Sequence, residues 1–253
     1  AHEVDGLIVM PDAWDVAARE LAAVGDSAGA WPRPVVTLLR PKAEGACVLA
    51  DERDGARAAA RHLIERGHRH VLCPITKEMP VLAERAEGVR QAMEEAGLDA
   101  GRHVHDLRIS ARWVAPLAVS GGPGPLAGPS ALPPPEEREP FARYMREHPE
   151  VTAVLAQNDA AAHRAVYVLR RSGLRVPQDV SVVGFDDTDA LLDETGHNVL
   201  TTVRLPLWEI GHRAARMVAD GLVRPNGTSR ERVVLPTELV VRGTTAERQR
   251  AMA

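Results

Sequence analysis

Polar side chains collect directly behind short apolar runs in this sequence. Val151–Ala156 leads into Gln157-Asn158-Asp159, and Val180–Phe185 leads into Asp186-Asp187. The run Val71–Ile75 is followed by Arg85 at the start of the next helical pattern, and Cys47–Leu49 is followed by Asp51 and Arg53. Carboxylates, amides and guanidinium groups held in fixed geometry match a neutral polyhydroxyl ligand, because each hydroxyl both donates and accepts. Nothing in the set calls for bond making. Each residue also has a purely structural reading: Asp159 as a helix N-cap, Asp186 and Asp187 as caps of a turn, Arg85 paired with Glu84 or Glu87 in water. Trp14 and Trp113 offer rings that could stack on a sugar face or pack half-buried.

Other chemistries lack their residues. There is no G-x-S-x-G elbow, no H-E-x-x-H helix and no Cys–His pairing context, so no enzyme and no catalytic residue are expected. The glycine cluster Gly121–Gly128 lacks both the G-x-G-x-x-G order and a following helix. His68-x-His70 and His103-x-His105 each present two imidazoles on a strand, but no third ligand of suitable spacing lies near either, so neither a metal nor a cofactor is expected. The 31 basic and 35 acidic side chains leave a net charge of −4, which gives no global attraction to nucleic acid or anionic lipid. Cys47 and Cys73 are isolated, as in a reducing cytoplasm. Leu7-Ile8-Val9-Met10 is too short for a signal-peptide core or a membrane span, so a soluble chain with no membrane partner is expected. Its 253 residues, 45% of them hydrophobic, suffice for one large α/β domain or two packed subdomains and exclude wholesale disorder.

Bringing the polar residues together requires strands whose ends align. β-branched runs at Val4–Val9, Val35–Leu39, Cys47–Leu49, Val71–Ile75, Val104–Ile109, Val151–Ala156 and Val180–Phe185 alternate with helical patterns. The helices are expected at Asp15–Val24, Asp54–Arg66, Glu84–Ala96, Glu136–Glu147, Asp159–Ser172 and Leu207–Gly221, with closing strands Arg232–Leu235 and Glu238–Val241. Gly67 and Gly97 supply C-caps. Strands apolar on both faces between helices imply a doubly wound parallel sheet, whose ligands bind outside the strands' carboxyl ends. Ala115–Pro135 is too rich in Gly and Pro for regular structure and reads as an insertion loop.

VPQDVSVVGFDD (Val176–Asp187) resembles the signature of the lactose/galactose-repressor (LacI/GalR) family of bacterial transcription regulators. DERDGARAAARHLIERGHRHV (Asp51–Val71), RAEGVRQAMEEAG (Arg85–Gly97), AVLAQNDAAA (Ala153–Ala162), LTTVRLPLWEIGHRAA (Leu200–Ala215) and VVLPTELVVRGTT (Val233–Thr245) are similar to that family in the same order. The resemblance implies two periplasmic-binding-protein-like α/β subdomains that close on a small effector, usually a sugar or nucleobase. One would hold residues 1–50 and 204–230, the other 51–203 and 231–245, with 246–253 as a tail. Family ligand contacts fall on Arg85 of the R-x-x-G motif, Asn158 of the ND pair and Asp186 of FDD, with Asp159 divided between ligand and helix cap. Arg85→Ala and Asp186→Ala are expected to abolish the ligand response while leaving the fold intact.

The family begins with a helix-turn-helix and a first βαβ unit, whereas this chain starts at a segment resembling the third strand. The DNA-reading part and at least one βαβ unit of the amino-terminal subdomain are therefore expected to be absent, leaving Val4–Val9 as an edge strand. The expected function is that of the effector-binding, homodimer-forming core of a repressor-type regulator, reaching operator DNA through a part outside this span. The alternatives are a transport-type solute-binding protein of the same fold and an effector-binding remnant without DNA binding.

Overall fold

The computed structural model describes residues 4–10, 33–39, 45–75, 81–114, 132–223 and 231–248. The architecture is α/β with mainly parallel sheets, in two compact units: Ala1–Asp51 with Pro206–Pro236, and Glu52–Leu205 with Thr237–Ala253. The expected helix Asp15–Val24, Trp14 and residues 115–131 of the insertion lie outside the described residues.

In the first unit, β1 (Leu7–Val9), β2 (Val35–Leu38), β3 (Ala46–Ala50) and β9 (Arg232–Leu235) form a parallel sheet in that order. β3 lies inside the sheet and is buried along its whole length, which is why it is apolar without alternation. Helix α6 (Leu207–Val223) packs on β1, β2 and β3.

The second unit carries six strands in the order β10–β8–β7–β6–β4–β5: β10 (Glu238–Val240), β8 (Thr201–Arg204), β7 (Ser181–Asp186), β6 (Ala153–Leu155), β4 (Val71–Ile75) and β5 (Val104–Arg108). All pair in parallel except β10. The helices are α1 (Glu52–Glu65), α2 (Val81–Glu95), the short α3 (Ala100–His103), α4 (Pro135–Glu147) and α5 (Asp159–Arg171). α1 closes as its sequence predicts: Gly67 takes φ +85°, its N–H donates to Ile64 O, and the His68 N–H donates to Leu63 O. Gly97, at φ +71°, does the same for α2, which starts three residues before the expected Glu84.

Two strands differ from expectation. β8 is a strand despite its sequence TTVR, because Thr201 and Thr202 are fully buried and satisfy their polar groups on Thr244, Thr245 and Asp159. The sequence places β9 beside β10 in the carboxyl-terminal subdomain, yet it pairs with β3 in the first unit. A two-residue hairpin turn needs positive φ, which Asn-Gly readily adopts and Pro236-Thr237 does not. The chain therefore runs on from one sheet into the other.

Cys47 and Cys73 are free and buried, and burial pushes the Cys73 thiol up to about 12, so it stays an inert thiol. Among the described residues, no helix is long and apolar enough to cross a membrane.

Candidate functional site

Strands β4, β6 and β7 run in parallel, so the segments leaving their carboxyl ends meet at one end of the second unit's sheet. Arg85, in the first turns of α2, is the hub. Its Nε donates to Glu52 Oε2 at 2.6 Å, its Nη1 donates to the Gln157 carbonyl, and its Nη2 reaches Asp186 Oδ1 at 3.3 Å. The guanidinium lies over the Phe185 ring, 3.5 Å from its centroid, which adds a cation–π attraction. With Arg85 and Glu52 both buried, the expected alternative of a solvated pair with Glu84 or Glu87 fails. Glu84 is taken instead by exposed Arg53. The expectation that Arg85→Ala leaves the fold intact is corrected too, since the side chain ties α1, α2, β6 and β7 together.

Asp186 stands at the end of β7 with φ +103°, followed by Asp187 at +59°. Consecutive non-glycine residues in this region are strained, and such strain concentrates where a side chain must be aimed. Burial raises the Asp186 carboxyl above its ordinary value, against the pull of Arg85. Its side chain keeps 26% exposure, the portion left for a ligand. Asp187 is held differently. Burial works against its charge, but hydrogen bonds from Arg242 and Arg204 outweigh that and keep the carboxyl below its ordinary value. It is the clamp of the turn.

Asn158 is the N-cap of α5: Oδ1 accepts from the Ala161 N–H at 2.8 Å, and Nδ2 donates to Val114 O at 2.8 Å. One amide proton and one lone pair remain for a ligand. Asp159, just inside the helix, is 1% exposed and accepts from the Thr188 N–H, the Asp189 N–H and the Thr202 hydroxyl. It is neither cap nor open ligand contact but a tie between α5, β8 and the turn after β7. Desolvation raises its carboxyl to about 7. The folded state thus holds a proton that the unfolded chain releases near 3.8, and stability falls as pH rises between those values. Between about pH 4 and 7.5 the wild type should lose up to about 4 kcal/mol relative to Asp159→Asn in urea unfolding. Parallel pH profiles of the two proteins would remove Asp159 as the source.

Trp113 is not available to a sugar. Its ring is 1% exposed, 5.1 Å from that of Phe141, and its Nε1 donates to Glu137 O. Asp51 belongs to the first unit, where its N–H donates to Leu235 O.

The residues missed in the sequence are Glu52, Gln157 as an individual contributor, Phe185, Arg204 and Arg242. Among the described residues, Gln157 is buried with neither Oε1 nor Nε2 partnered. It lines, with Arg85, a cavity of about 20 Å³ between β4, β6 and α2, room for about one water. An unpaired buried amide costs about 1–3 kcal/mol, so this group gains from any hydroxyl that reaches it. The string Gln157-Asn158-Asp159 was the available signal.

Residues 60–245 match the periplasmic binding protein-like domain. The chain belongs to that family. HTH-type transcriptional regulator DegA of Bacillus subtilis is 32% identical over 200 residues, covering 79% of this chain and 52% of the regulator. A transcriptional regulator CelR–cellobiose complex superposes with TM-score 0.68 at 29% identity, covering 96% of this chain and 66% of that one. A LacI-family transcriptional regulator from Enterococcus faecium with bound ribose shares the fold, with TM-score 0.73 at 23% identity over 97% of this chain and 81% of that one. The resemblance to LacI/GalR effector cores therefore holds, and the relatives of this periplasmic binding protein-like chain are regulators rather than enzymes. The chain spans about half the length of the curated relatives it matches.

Proposed function

We propose that this chain is the effector-binding and dimerisation core of a LacI/GalR-type DNA-binding transcriptional regulator, and that its effector is a sugar. The observation that carries the reading is the group at the β6 and β7 ends: a partly exposed Asp186 aimed by a strained turn, beside buried Arg85 and the unpartnered Gln157 amide. Carboxylate, amide and guanidinium suit the paired donor and acceptor of a sugar hydroxyl. The regulator relatives support the regulator class, and the cellobiose complex of the similar regulator CelR supports a sugar as the ligand. In this reading the protein works in the cytoplasm as a homodimer, contacts operator DNA through a helix-turn-helix outside the span described, and binds its effector with no cofactor, metal or catalytic residue at the rim. An effector shifts DNA affinity only by its own difference in affinity for two conformations.

The test is thermal unfolding against a panel of mono- and disaccharides. A sugar present at a hundred times its Kd should add about 2.7 kcal/mol and raise Tm by several degrees. A panel with no stabilising sugar contradicts the effector class. For the native full-length protein, loss or gain of operator binding on adding the same sugar supports the regulator, and an unchanged footprint contradicts it.

A further inference from the structure

The parallel pairing that gathers the polar rim at one end of the second unit's sheet gathers histidines at the other. Val71 at the start of β4 pairs with Val104 at the start of β5 and with Ala153 at the start of β6. The residues at those three starts, His70, His105 and the α4–β6 connection with His148 and Glu150, therefore converge, although they are 35 to 80 positions apart in the sequence. Ligand atoms of His105, His148 and Glu150 lie within 4.8 Å of one another. The pair His103-x-His105 does not act together: His105 alone joins the set, with two donors from the α4–β6 connection that its sequence spacing did not reveal. We propose that His105, His148 and Glu150 form a binding site for a divalent transition-metal ion of the Zn²⁺ class, distinct from the effector rim.

The donor set is right for such an ion, since two imidazoles and a carboxylate are borderline ligands and a water completes four-coordination. Around a tetrahedral ion the donors would close to about 3.4 Å, and rotation of His148 and Glu150 supplies the movement. Their side chains are 37% and 42% exposed, so an ion also has an entry path. His105 is already oriented from two sides: one ring nitrogen, Nε2, meets His70 Nδ1 at 3.0 Å, and the other, Nδ1, meets the Tyr144 hydroxyl at 2.8 Å. Tyr144, which His105 Nδ1 meets, is itself stacked on His148 at 4.2 Å, and in the proposed site Nδ1 is the coordinating nitrogen. Metal binding exchanges the Tyr144 hydrogen bond for a coordinate bond and leaves the His70 ring nitrogen to accept from His105 Nε2 and fix its ring, in the place where a metal-bound imidazole more often donates to a carboxylate, carbonyl or water. The ion would brace the start of β5 against the α4–β6 connection.

The experiment is calorimetric titration of Zn²⁺ into the metal-free chain carrying no polyhistidine tag, repeated with Co²⁺ and read by visible absorption. One equivalent per chain is expected, with the intense bands of low-coordinate Co²⁺ and a rise in Tm. His148→Asn and Glu150→Gln, both at half-buried positions, should each weaken Zn²⁺ binding at least tenfold with unchanged far-ultraviolet circular dichroism and an unchanged sugar response. Substoichiometric binding, or binding equally tight in both variants, overturns the site.

Discussion

Replacing Arg85 by alanine should remove about 3–5 kcal/mol of folding stability from the second unit, the usual result of breaking a buried ion pair from one side. The change leaves the Glu52 carboxylate, 7% exposed, without its guanidinium, strips the Gln157 carbonyl of a donor and opens space above the Phe185 ring. Desolvation decides the size of the effect. In water the same pair would contribute at most about 1 kcal/mol. Arg85→Met, which keeps much of the volume, should be nearly as damaging, whereas Arg85→Met combined with Glu52→Gln should recover a good part of the loss because the most deeply buried carboxylate of the group is neutralised with its partner, leaving only the partly exposed Asp186. Urea unfolding of the three variants measures this. A loss below about 1 kcal/mol for Arg85→Ala would mean that the pair is solvated after all. Loss of ligand response in this variant is uninformative by itself, because the fold suffers with it.

Gly88→Ala is expected to cost about 3 kcal/mol or more, the upper end of what overpacking does. A Cβ at Gly88 would stand 2.1 Å from the Arg53 carbonyl oxygen and 3.0 Å from both Arg53 C and Arg57 N. These are backbone atoms of α1, so no rotamer change relieves the clash, and α1 and α2 must move apart. Moving them apart also stretches the Arg85–Glu52 bond that joins the same two helices. Gly211→Ala in α6 should have the opposite sign. Its Cβ meets nothing within 4 Å, and removing a helical glycine at an open position is worth about 0.5–1 kcal/mol. Thermal and urea unfolding of both variants distinguish the cases, and a neutral Gly88→Ala would show that the helices are farther apart than described.

The R-x-x-G motif was legible as sequence, and its two fixed residues turn out to have one physical job. Gly88 lets α2 approach α1, and that approach brings Arg85 within reach of Glu52. Helix ends at Gly67 and Gly97 were legible because positive φ leaves few residues to choose from. β3 and β7 were legible as strands because burial on both faces leaves an apolar run. The illegible parts depend on pairing across the chain. Glu52 lies 33 positions from Arg85, and nothing in its local spacing distinguishes it from a first-turn glutamate at any helix start. β8 was hidden because its burial is satisfied by threonine hydroxyls instead of apolar side chains. Trp113, left open between stacking and packing by its sequence, packs. A tryptophan beside a polar rim invites a stacking role, but the Phe141 side of its ring is already occupied by the core. Asp159 was divided between cap and ligand, and the neighbouring Asn158 took the cap, which left Asp159 to join α5 to β8.

The central claim is that Asp186 presents a carboxylate to a sugar hydroxyl, and Asp186→Asn tests it with the least disturbance. Asparagine tolerates the positive φ of that turn, so the backbone keeps its course. The Asp187 clamp on Arg204 and Arg242 is untouched by the change. The decisive measurement is calorimetric titration of a stabilising sugar into the wild type and into Asp186→Asn. A hydrogen bond to a charged group is worth about 1.5–3 kcal/mol, so affinity should fall roughly 10- to 100-fold in the variant while its unfolding midpoint stays close to that of the wild type. Equal affinity in the two proteins would contradict the account, because the ligand would then bind without the group that the turn after β7 is built to aim.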